Sequence, residues 1–252
     1  MPLPLALALS TLIAVLGWRL RALTGLGALA AGLVGTSIGS MTGWAGMAAL
    51  GTFFIGSSMI SRLAPDRSAE RFDSKGSQRD EWQVLANGGA AALAALVLGP
   101  AALPVVTISL AAAAADTWAT AFGGWSRTLP RHVLTGGQVP TGTSGGVTLL
   151  GTAGAAIGAG LVGLASTAAA GAPSLFSPAL LLGMLGMLVD SILGAAAQGR
   201  FHCPSCDQPT ERRLHRCGQT TRHTGGLAWL TNDGVNALAT GTATVLGWWV
   251  SR

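Results

Sequence analysis

Apolar residues in this chain come in long runs rather than in stripes. Eight runs stand out, at about 3–18, 24–40, 44–61, 82–99, 102–122, 145–168, 177–197 and 226–250. A helix on the surface of a soluble protein alternates an apolar face with a polar one. These runs are apolar on all sides, which predicts helices surrounded by lipid or by one another. Several are short of the roughly 20 residues that cross a bilayer. The pair 24–40 and 44–61 reads as either a re-entrant hairpin or one broken helix, so seven or eight spans are expected. The expected fold is all-α: a polytopic integral membrane helix bundle, with residues 1–252 as one transmembrane domain.

Composition supports a membrane protein and excludes a soluble one. Half of the 252 residues are hydrophobic and only 10% are charged, against about 25% in an ordinary soluble domain. The 37 glycines suit helices that approach closely in lipid. Tyr is absent, so the eight Trp must supply any interfacial belt. No basic residue precedes the first run and Arg19 and Arg21 follow it. That order is the reverse of a cleavable signal and predicts a retained first span.

The net charge of +5 would suit nucleic acid, but its distribution assigns it to membrane orientation instead. Arg19 and Arg21, then Arg62, Arg67, Arg71, Lys75 and Arg79, then Arg127 and Arg131, then Arg200, Arg212, Arg213, Arg216 and Arg222 all fall on one side of an eight-span chain. Only Arg252 falls on the other, and the intervening turns "MTG", "GPAA" and "GAPSLFSP" carry no charge. The expectation is a multi-pass protein of the cytoplasmic (inner) membrane, its N-terminus outside and every long loop in the cytoplasm.

Against this apolar background a few polar residues stand out. Asn87, Asp116, Asp190 and Asp233 each lie some five to seven residues inside their run. At 1.5 Å per helical residue that is roughly 8–11 Å below the cytoplasmic boundary. Asn232 and Asn236 flank Asp233, and Asn236 shares its helical face. A carboxylate at such depth costs several kcal/mol unless paired, hydrated or bound to metal. The runs hold no Lys or Arg away from their ends. Magnesium meets the need, because it takes a few carboxylates together with water and phosphate. Asp116, Asp190 and Asp233 are therefore the expected Mg²⁺ ligands, with Asn87, Asn232 and Asn236 orienting phosphate or water. The plainer reading has each Asp pinning helices through hydrogen bonds.

Three loop motifs add candidate chemistry. "TGGQVPTGTSGGV" leads into the sixth run and ends on Thr143, Ser144, Gly145 and Gly146. Its backbone amides and hydroxyls at a helix start could hold an anion. It lacks the Gly-Lys-Ser/Thr of a Walker loop, and a flexible linker is the alternative. "SKGSQRDEW" places Lys75, Gly76, Arg79 and Asp80 before the fourth run. Such cations suit a triphosphate or lipid phosphate, or else ordinary anchoring on the positive side. "HCPSCDQPTERRLHRCG" gives Cys203, Cys206, His215 and Cys217, a Cys₃His set for structural zinc in the loop 198–225. His202 and His223 are rival fourth ligands, and reduced thiols without metal are the alternative.

Taken together, "KGSQRDEWQVLANGG", "ADTWATAFG", "VPTGTSGGVTLLGT", "LVDSILGAAAQ", "CPSCDQPTERRLHRCG" and "NDGVNALAT" resemble the membrane family called domain of unknown function 92. That family includes a plant phytyl-phosphate kinase. The resemblance runs from about residue 10 to 250. It implies a polytopic α-helical protein that phosphorylates an isoprenoid monophosphate to the diphosphate with a nucleoside triphosphate, CTP being the candidate donor. Members often carry Glu where this chain has Ala121.

Two functions follow. The first is a Mg²⁺-dependent lipid-phosphate kinase whose partners are an isoprenoid phosphate, a nucleoside triphosphate and membrane lipids, with no nucleic acid. The second is a secondary transporter for a cation or anionic solute, since buried Asp and Asn on Gly-interrupted helices suit that class as well. The tandem pattern of CDP-alcohol phosphotransferases is absent.

Overall fold

A computed structural model describes residues 1–64 and 78–252. Helices dominate it: α1 (Leu3–Arg19), α2 (Gly25–Leu63), α3 (Glu81–Leu98), α4 (Leu103–Trp125), α5 (Leu149–Ala170), α6 (Phe176–Ala197) and α7 (Asn232–Val250). Among the described residues four stretches are long and apolar enough to cross a membrane: Gly25–Leu63, Glu81–Trp125, Leu149–Ala170 and Pro173–Ala197. The third and fourth cytoplasm-assigned loops are less irregular than expected. A two-strand pair, β1 (Arg131–His132) with β2 (Gly146–Val147), closes one. A three-stranded antiparallel ribbon, β3 (Arg200–Cys203), β4 (Gln208–Thr210) and β5 (Arg222–Gly225) in the order β4-β3-β5, fills the other. The pairing is not visible in a strand-length apolar pattern because these strands are only two to four residues long.

The ambiguous second and third runs form an antiparallel hairpin inside α2. Its hinge is Gly43, at φ 68° and ψ −151°, a conformation that a side chain would strain. In a straight helix residues 35 and 50 would stand about 22 Å apart. Here a methyl at Gly35 would come within 3.6 Å of Leu50, and one at Gly39 within 2.9 Å of Met47. The N-terminal ammonium donates to the Gly39 carbonyl at 3.2 Å, which places the hairpin tip beside the start of α1. The bundle thus has a short-turn end (residue 1, Gly43, residues 99–102 and 171–175) and an end that bears the longer loops.

α4 is the central helix. Every residue from Val105 to Ala115 is buried. Glycines on its neighbours make that possible. A methyl at Gly154 or Gly158 of α5 would press within 2.8 Å of Trp118 or Phe122 atoms, and one at Gly186 of α6 within 2.5 Å of Ala112. Small-residue packing of this kind lets backbones touch where no hydrophobic effect drives association. One buried polar link ties the far side: Thr240 Oγ1 of α7 donates to the Ala86 carbonyl of α3 at 2.8 Å.

Candidate functional site

The close packing of α4 on α6 fixes two of the acidic residues. Ala112 lies against Gly186, and one turn further toward the loop end both helices carry an Asp. Asp116 and Asp190 come within hydrogen-bonding reach of each other. One oxygen of Asp190, Oδ2, is shielded from solvent and makes no hydrogen bond among the described residues. Two touching carboxyl groups with an unspent oxygen are hard donors suited to Mg²⁺, so the residues fit that ion.

Asp233 sits elsewhere in depth. The sequence placed it some seven residues inside its run, but α7 begins only at Asn232, with Thr231 as its cap. Residues 226–231 form the approach to that helix. Ala243 of α7 shares the level of Gly186 and Ala112. Asp116 and Asp190 are four residues from that level and Asp233 is ten, an offset of about 9 Å along the helix axes. Asn232 is exposed, and Asn236 keeps a shielded Oδ1 without a hydrogen bond among the described residues. Asn87 is buried and donates to the Gln83 carbonyl at 2.8 Å.

The Gly-rich loop covers the Asp pair. Gly145, at φ 77°, rests so tightly on α6 that a methyl there would fall 2.3 Å from Ala195 Cβ. Ser144 Cβ is 3.6 Å from the position a methyl on Gly194 would take. The space that Gly194 opens beside Asp190 is therefore filled by this loop. Its hydroxyls are already engaged: Thr143 Oγ1 donates to the Pro140 carbonyl at 2.8 Å, and Ser144 Oγ donates to Glu211. The Gly146 amide closes a turn onto Thr143.

Glu211 is the functional candidate that the sequence reading passed over. It follows β4, accepts the Ser144 hydrogen bond, lies beside Gln198 and is close enough to Asp190 to repel it. Burial pushes its carboxyl above the usual value, and the Ser144 and Gln198 contacts pull it partly back. The only sequence signal was an acid inside a basic loop, "TERRLHR". Ala121 is buried on α4.

The ribbon that carries Glu211 brings all four predicted zinc donors together. The ligand atoms of Cys203, Cys206, His215 and Cys217 all lie within 4.8 Å of one another. Cys203 and Cys217 sulfurs are 3.7 Å apart, close to the edge of a tetrahedron with metal–sulfur arms of about 2.3 Å. His215 Nδ1 is 3.1 Å from Cys217 Sγ. The rivals are occupied otherwise: His202 Nε2 pairs with Asp207 at 3.2 Å, and His223 packs on the Phe201 ring at 5.3 Å. His215 holds Cys217 as a thiolate-prone group, its pKa lowered to about 6, while the contact with Cys217 raises Cys206 to about 11. This divided proton pattern suits a thiolate metal site.

Of the second cationic motif, Lys75 and Gly76 lie outside the described residues. Asp80 is the N-cap of α3 and accepts from the Gln83 amide at 2.9 Å. Arg79 turns into the bundle, its guanidinium 5.3 Å above the centre of the Phe53 ring. Its main chain is clamped to the segment after α1: its N–H donates to Ala22, and its carbonyl accepts from Thr24, both at 2.9 Å.

A model of the family described as "Integral membrane protein DUF92" matches residues 8–244. The chain belongs to the DUF92 family. Among its relatives is Protein PGR of Arabidopsis thaliana, 30% identical, with the match covering 92% of this chain and 90% of that protein. No solved structure matches. DUF92 membership and the apolar helices together make this a multi-pass integral membrane protein.

Proposed function

We propose that this DUF92 protein is an isoprenoid monophosphate kinase, transferring a phosphoryl group from a nucleoside triphosphate, with CTP the candidate donor, to give the diphosphate. The observation that carries the reading is the Asp116–Asp190 pair, joined by Glu211 and roofed by the Thr143–Gly146 loop. Eight helical arms cross the membrane in this reading: α1, the two arms of α2, and α3 to α7. The loop end then faces the cytoplasm, as the Lys and Arg distribution requires.

Asp116, Asp190 and Glu211 would hold Mg²⁺, which supplies charge neutralisation on the transferring phosphates. The acceptor is already a phosphate anion, so no strong base is needed. One of its oxygens bonds to the terminal phosphorus of the donor while the bond from that phosphorus to the leaving nucleoside diphosphate breaks. The Gly-rich loop excludes water from the acidic pair, and Asp233 and Asn236 line the approach nearer the loop end. The zinc set braces the ribbon and so holds Glu211 against Ser144.

The touching carboxyl pair also favours a second reading, a cation-coupled transporter, because a transported cation would neutralise it equally well. Purified protein supplied with labelled CTP or ATP, Mg²⁺ and geranylgeranyl or phytyl phosphate separates the two. Diphosphate formation that is lost in Asp190→Asn supports the kinase. Cation-driven uptake into liposomes with no phosphorylated product would select the transporter.

A further inference from the structure

A second feature is a cleft that runs between α1, the α2 hairpin and α3. Its walls are apolar over most of their length, with Ile13, Val34, Leu50 and Phe54 among them. Toward the loop end it meets Arg79, which precedes the cap of α3, and Gln83 and Asn87, which share one face of that helix at four-residue spacing.

We propose that this cleft is the acceptor-lipid site. The isoprenyl chain lies among the apolar walls and the phosphate sits on Arg79; the assignment rests on the kinase reading. Charge is the main argument. Burial lowers the Arg79 pKa to about 10, and among the described residues no carboxylate offsets that shift. The guanidinium therefore stays protonated at neutral pH, half-buried over the Phe53 face. A partly desolvated cation is costly, and a phosphate monoester offsets that cost with two parallel hydrogen bonds. Polarity along the cleft is the second argument. The cation is at the loop end and the apolar walls extend from it into the membrane-spanning region, the order of head and tail in an anionic amphiphile. Gly51 forms part of the wall, and a methyl there would meet nothing within 4 Å. It keeps the cleft open without being required by the backbone.

The test uses the full chain in nanodiscs, a geranylgeranyl phosphate with a photoreactive group in its tail, and no nucleotide. Cross-links should map to α1 and the α2 hairpin. Gly51→Phe should weaken binding by about tenfold or more, whereas Gly51→Ala should leave it intact. Arg79→Gln should weaken geranylgeranyl phosphate but not geranylgeraniol, and Arg79→Lys should recover part of the loss. Cross-links confined to α4–α6, equal losses for phosphate and alcohol, or preferential labelling by a phosphatidic acid analogue would overturn the proposal. Binding here without diphosphate formation on adding nucleotide and Mg²⁺ would remove the kinase reading alone. Diphosphate formation indifferent to Gly51→Phe would remove the lipid site alone.

Discussion

The bundle holds two sites of opposite character. On the α4–α6 side two carboxyl groups meet each other and a third approaches, with no cation acting on Asp190 among the described residues. On the α1–α3 side a guanidinium stands over an aromatic ring with no carboxylate offsetting its burial among the described residues. A fold selected only for stability would bring such charges together, since each is expensive when desolvated alone. Here the acids stand on α4, α6 and the ribbon, and the guanidinium on the segment before α3. In the proposed reading each site meets a ligand of the opposite sign, a metal cation at the acidic pair and an anionic headgroup at Arg79.

The sharpest way to break this comparison is Asp190→Asn. We expect phosphoryl transfer to fall by about 10²–10³-fold, while Tm without Mg²⁺ holds or rises because the carboxyl repulsion is relieved. Retained activity, or a collapse of Tm, would mean the pair is structural. Gly145→Ala combines a left-handed φ with collision against Ala195. It should cost about 1–3 kcal/mol and unseat the loop, read as faster proteolysis within residues 126–148 and lower activity.

The pH dependence of Mg²⁺ binding sharpens the role of Glu211. Its folded pKa is raised above 4.5, so the folded chain holds this proton more tightly than the unfolded one. Its contribution to metal-free stability is complete below about 4.5 and is lost as pH rises through the raised value. Metal competes with the same proton. Affinity measured by calorimetry should therefore rise with pH across this window with proton release, and Glu211→Gln should flatten the profile.

In the ribbon, Cys217 should alkylate before Cys206 at pH 7 in metal-free protein, because their pKa values are about 6 and about 11. Added zinc should protect both, and mass spectrometry of the labelled peptides checks this. The smallest expected effect is Thr240→Val, which removes the link to Ala86 and should cost about 1 kcal/mol in thermal denaturation, with no change in either site.

How far the sequence could be read varies by element. The α4 run was legible because an all-apolar helix has no other place than the interior. The meeting of Cys203, Cys206, His215 and Cys217 was legible because spacing within one loop is local. Asp233 was misplaced because hydropathy does not register where a helix begins; Thr231 as cap decides that, and the apolar "GLAWL" before it only looks helical. Glu211 was missed because its partners, Ser144 and Asp190, are remote in sequence. The Arg79 motif was read as suiting a triphosphate or a lipid phosphate, or as plain anchoring; that its side chain turns toward Phe53 follows from the chain's clamp to Ala22 and Thr24, which no local pattern shows.

By itself the sequence determined the medium and the chemistry available. Too few charges exist to wet the surface, so the protein lives in a membrane, and the polar residues left in its apolar runs had to carry meaning. Tertiary structure alone decided which of them meet. Helix periodicity fixes faces within one element, but the depth and partner of a side chain depend on how helices cross and where they start. Small residues on α4, α5 and α6 set those crossings here, and so joined Asp116 to Asp190, while Arg79 lines the cleft among α1, α2 and α3.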